Sequence, residues 1–163
     1  MNPATTLYGF SEIRNFELEG NHELRPPPRF VEVASEIAHL LGLDAQKLLE
    51  GCPLQALGMT FWFVHYGARD PDGMTIFAQI GDIAKDDPGA LRRALEYNAL
   101  SPGGLAGYYA IVPGSDTLVC CWRVDLTLTE DPAKRIVLDL SAACQHVANV
   151  RTAVETLMQQ IFQ

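Results

Sequence analysis

Apolar and polar positions alternate along this chain with two periods. Phe30, Val33, Ile37, Leu40 and Leu41 recur at helical spacing, which predicts a helix from Pro28 that places these five on one face. Pro28 suits the first helical position and Gly42 the stop, with Leu43 folding back on the last turn. Asp44 predicts a cap for a short turn over Ala45–Glu50. From Leu57 to Tyr66 the aromatic and β-branched run predicts a strand. After the turn residues 69–73, Met74–Ile83 predicts its antiparallel partner. Asp87 and Pro88 predict a second helix with Leu91, Ala94, Leu95 and Asn98 on one face. Leu105–Val112 and Thr117–Leu128 predict a second hairpin. Asp131 and Pro132 open a last helix, with Ile136, Leu140, Ala143, Val147, Val150, Val154, Leu157 and Ile161 as its seam. Unbroken, that helix would run roughly 45 Å, so a break near Asn149 is open.

The order helix, hairpin, helix, hairpin, helix predicts an α+β fold built on an antiparallel sheet of four strands. Residues 1–28 read as an N-terminal arm, with Tyr8, Phe10, Ile13 and Phe16 among acids and Pro26–Pro28 extended. Residues 29–163 read as one domain. Leu105–Val112 and Phe61–Tyr66 are apolar on both faces. One layer of helices covers one face of a sheet. The remaining oily surface calls for a second copy or another partner.

Composition sharpens this. A net charge of −8 and a pI near 4.8 disfavour nucleic acid and anionic membranes and favour basic protein segments. Acidity also keeps an oily surface soluble. The N-terminus lacks a basic start followed by an apolar run, so no secretory signal is visible, and no apolar run approaches a membrane span. Cys52, Cys120, Cys121 and Cys144 show no metal spacing and read as reduced and mostly buried, which suits a cytoplasm.

Candidate chemistry is sparse. No phosphate-binding glycine loop appears, and the turn before Gly107 reads as a place where backbones approach closely. His22, His39, His65 and His146 have no neighbour at ligand spacing, so neither metal nor cofactor is expected. A thiol enzyme pairing His65 with Cys120 or Cys121 is the reading from another class. Trp122 and Arg123 read as a core indole beside a solvent guanidinium.

The first helix, the aromatic strand, the segment from Ile76 to Leu100, the glycine turn and the apolar hairpin together resemble the class I (CesT-like) type III secretion chaperones. The residues that carry the likeness are Leu40–Leu43 with their spacing to Asp44, Gly81 followed by Pro88, and Leu95–Asn98. It covers residues 30 to about 160. The resemblance implies a cytoplasmic homodimer without enzyme activity. It would hold the N-terminal region of one or more secreted effector proteins extended and present it for export. Contact with a secretion ATPase or other export machinery is left open. It implies a dimer contact through Leu91, Leu95, Asn98, Tyr108 and Ala110. It also implies a client groove using Val33, Ile37, Phe61, Phe63, Ile76 and Ala78. A regulator of the same fold that acts on folded partners is the nearest alternative.

Overall fold

A computed structural model describes residues 25–82, 88–100, 107–112 and 115–145. Helix α1 spans Pro28–Leu41, with Pro27 in an extended conformation before it. Gly42 stops it at φ 65°, and the Leu43 N–H reaches back to the Ala38 carbonyl at 2.8 Å. Phe30, Val33, Ala34, Ile37 and Ala38 face the core. The buried stripe is therefore turned from the expected one. Leu40 is exposed and Ala34 and Ala38 take the inner positions, because small side chains let the helix lie close to its neighbours. The short helix α2, Ala45–Leu49, is capped as expected: Asp44 accepts from the Gln46 and Lys47 N–H groups.

The sheet has five strands where the sequence pattern suggested four. The extra one is β1, Leu54–Ala56, which pairs antiparallel with β2, Met59–Val64. Leu57 and Gly58 join them at φ 53° and 76°. Two consecutive positive φ angles make the tight turn that matches strand twist. The run expected as one strand from Leu57 is thus bent at its start, and it ends at Val64, two residues before Tyr66.

A 3-10 turn, Gly67–Arg69, leads to β3, Gly73–Asp82. Helix α3 is Pro88–Leu100, followed by β4, Tyr108–Ile111, and β5, Thr117–Asp125. Asp87, Leu105 and Ala106 lie outside the described residues. The strand order is β1-β2-β3-β5-β4, and each of the four strand pairs is antiparallel. The second hairpin docks through β5, leaving β4 at the edge. Gly107 sits where β4 enters: a Cβ there would lie 2.7 Å from the Cys121 carbonyl oxygen. Backbones do approach closely at Gly107, while the turn before it lies outside the described residues.

Residues 132–145 are helical and form α4. Asp131 accepts from the Lys134 N–H at 3.1 Å and pairs with its ammonium at 2.6 Å. Ile136, Leu140 and Ala143 are buried as the seam requires, while its continuation and the break near Asn149 lie outside the described residues. So does the arm up to residue 24.

Register fixes which side chains share a face. Phe63 opposes Ile76, and Ile76 opposes Trp122. These join α1 and α4 in the main core. The other face carries the row Trp62, Phe77, Cys121, Tyr108 across four strands. A smaller cluster of Trp62, Val112 and Val119 lies there, with Val64, Phe77 and Ala110 packed against it. Both faces of the sheet are apolar.

Candidate functional site

The expected dimer residues gather at the β4 edge. Leu95 on α3 is 58% exposed and Tyr108 on β4 is 54% exposed, high values for large apolar side chains on regular elements. Ala110 is half-buried. Leu91 lies on the same helix, but its side chain is outside the described part. Asn98 uses its amide within its own chain: Nδ2 donates to the Tyr109 carbonyl at 3.0 Å, and the Tyr109 N–H donates to Oδ1 at 2.6 Å. These two bonds tie α3 to β4. They set Leu95, one turn before Asn98, beside the strand that carries Tyr108.

The six residues expected to line a client groove sit elsewhere. Val33, Ile37, Phe61, Phe63, Ile76 and Ala78 are at most 1% exposed and belong to the main core. Groove and core draw on the same residue types, and spacing along the sequence cannot separate a helix face that packs on its own sheet from one that waits for a guest. In this chain α1 lies on the sheet, so these side chains form its interior and offer no surface.

A sequence profile of the Tir chaperone protein (CesT) family matches residues 33–159. That range holds α1 beyond its first turn, the whole sheet, α3 and α4. The chain belongs to the CesT family. Among solved structures, one chain of the ExoT–SpcS complex from Pseudomonas aeruginosa is similar, with TM-score 0.50 and 18% identity. The match covers 73% of this chain and 95% of that one. At this identity the likeness speaks for the fold: an antiparallel α+β sheet with helices is common to both. The curated proteins contain no match to the sequence.

The arrangement within this CesT-family chaperone keeps thiols and imidazole apart. Val64 opposes Thr75, and Thr75 opposes Arg123, so His65 sits near the level of Val124. Cys120 is four residues along and two strands over, about 16 Å at ordinary strand dimensions. The His65 ring meets Phe30 edge-on at 4.9 Å, and its Nδ1 accepts from the Gly67 N–H at 3.3 Å. Burial pushes Cys120 and Cys121 up to about 11, far from the thiolate a nucleophile requires. The Cys121 thiol donates to the Tyr108 carbonyl at 3.3 Å. The pairing of His65 with Cys120 or Cys121 is therefore not formed. Among the described residues no cluster of three or more His, Cys, Asp or Glu could hold a metal ion. Among them, too, no helix is long and apolar enough to cross a membrane.

Trp122 is buried and Arg123 faces solvent, as expected, and Arg123 also gains a partner there. Its guanidinium forks onto Asp70, with Nε and Nη2 each donating to one carboxylate oxygen at 2.7 and 2.6 Å. The hydrogen bonds from Arg123 hold the Asp70 carboxyl below its usual range. This ties the turn before β3 to β5 across the sheet.

The exposure of four leucines was not read from the sequence: Leu40 at the end of α1, Leu57 in the β1–β2 turn, Leu128 after β5, and Leu138 on α4. Leu138 falls off the Ile136–Leu140–Ala143 seam, and Leu57 precedes a glycine. Those were the available signals.

Proposed function

We propose that this chain is a cytoplasmic type III secretion chaperone that works as a homodimer. It binds the N-terminal region of one or more effector proteins, keeps that region extended, and passes it to the export machinery without catalysing a reaction. The observation that carries the reading is the CesT-family match, which runs through the whole sheet and both flanking helices. The similar ExoT–SpcS structure supports it, since by its description that assembly is a complex. The exposed Leu95 and Tyr108 supply the apolar surface for the twin subunit, with Ala110 on the same strand as Tyr108.

The client meets the outside of the α1–sheet layer and not its interior. Val33, Ile37, Phe61, Phe63, Ile76 and Ala78 form the floor that shapes the layer. The exposed positions Leu40 and Leu57 are the contacts offered to an extended apolar segment. Residues 1–28 are proposed to be an arm outside the domain of residues 29–163.

Co-expression with candidate effectors, followed by size exclusion and mass measurement, tests the reading. The expected result is a complex of two chaperone chains and one client in which an N-terminal client segment resists protease. Co-purification with none of the effectors tried, or a client whose N-terminal segment is cut as fast as in the free protein, would overturn it.

A further inference from the structure

Strand β4 has a partner on one side only, since it ends the strand order. Its backbone groups alternate in direction. The Val112 N–H donates to the Thr117 carbonyl on the β5 side at 3.0 Å. Two-residue alternation therefore sends the groups of Ala110 and Tyr108 toward β5 and those of Tyr109 and Ile111 outward. An outward row of this kind is a template for another strand, whether from a second copy or from an extended peptide.

At Tyr109 the template is already filled. The Asn98 amide binds both its N–H and its carbonyl, at 2.6 and 3.0 Å. A primary amide carries an acceptor and a donor side by side, as a peptide group on a neighbouring strand does. A carboxylate could accept from the N–H but could not donate to the carbonyl, and an aliphatic side chain could do neither. Asn98 also lies one helical turn from Leu95, so the same two bonds tie the helix that bears exposed Leu95 to the strand that bears exposed Tyr108.

We infer that Asn98 is a positioning residue that closes the β4 edge to strand addition. A second copy of this chain is thereby made to meet the edge through the side chains of Leu95 and Tyr108, without backbone pairing. That consequence for assembly rests on the dimer reading above. The closure itself does not, and it is tested on the full chain without any client.

The test compares the wild type with Asn98→Ala and Asn98→Asp, using residue-resolved amide hydrogen exchange and light scattering over a concentration series. In the wild type the Tyr109 amide is expected to be protected although it lies on an edge strand. Asn98→Ala is expected to speed exchange at Tyr109 at least tenfold while Ala110 stays protected, and to add species larger than the dimer as concentration rises. Asn98→Asp keeps the acceptor and is expected to retain protection at Tyr109. Unchanged exchange at Tyr109 in Asn98→Ala, or a loss spread evenly over β4 and β5, would overturn the inference. Should Asn98→Ala fail to fold, exchange in Asn98→Asp decides: a protected Tyr109 supports the closure and an unprotected one overturns it. A chain that stays monomeric while Tyr109 responds as expected would leave the closure standing and remove the dimer reading.

Discussion

Leu57 adopts φ 53° in a two-residue turn and is 50% exposed, so it combines backbone strain with little packing. For an L-residue the left-handed region costs roughly 1–2 kcal/mol, and asparagine tolerates it better than leucine. Leu57→Asn is expected to raise stability by about 1 kcal/mol, read as a higher urea midpoint with an unchanged slope. If Leu57 also touches the client, the same variant should weaken client binding while the fold gains, a split that co-purification would show. The thiols give a second test at this scale. Cys120 and Cys121 are held near 11 by burial, so at pH 8 their thiolate fraction falls about a hundredfold below that of an ordinary thiol. Native-state alkylation at pH 8 is expected to spare both, whereas unfolding in urea exposes them. Rapid labelling of folded protein at either position would contradict the burial that keeps them inert.

Between elements, the fork from Arg123 to Asp70 joins β5 to the turn that launches β3. The Asp70 carboxyl is held below its ordinary 3.8, so its contribution is complete above about pH 4 and is lost as pH falls through the lowered value. The Arg123 side chain is 46% exposed, so solvent screens the pair and its worth is about 1 kcal/mol or less. Asp70→Asn is expected to lower the urea midpoint at pH 7 and to lower it by less at a pH well below 3.8, as the wild-type carboxyl becomes protonated. An equal deficit at both values would mean that the loss is one of packing. The pairs on helix surfaces, such as Arg92 with Glu96, join residues one turn apart within a helix and are worth only a few tenths of a kcal/mol each. Elements with strong local signals formed where expected. Pro28 and Gly42 bound α1, and Asp44 caps α2, because each acts on a few neighbouring backbone groups. The short strand β1 escaped notice because three residues carry no period of their own. They become a strand only through pairing with Met59–Phe61.

Across the whole molecule, the sheet is apolar on both faces, and the exposed remainder includes Leu95 and Tyr108 at one edge. Leu95→Asp is expected to place a charge in the proposed twin contact and to give monomers or aggregates by light scattering. A soluble, client-binding dimer from this variant would remove Leu95 from the interface. The residue types at a buried sheet–helix layer and at a groove for an apolar peptide are the same. That is why Val33, Ile37, Phe61, Phe63, Ile76 and Ala78 read as groove from the sequence and proved to be interior. Leu95 and Asn98 both occur on one predicted helix face, yet one is solvent-facing and the other is bound to Tyr109. Only the approach of α3 to β4 separates those roles.

The order of helices and hairpins, the capping of α1 and α2, and the α+β class with its antiparallel sheet were written in the chain itself, because periodicity, caps and turns act over a few residues. The docking of β5 rather than β4 against β3, the burial of the α1 face, the distance between His65 and the thiols, and the Asn98 clamp were decided only in three dimensions. Each depends on which of several equally apolar surfaces meet, and that choice is made by packing among residues far apart in the sequence.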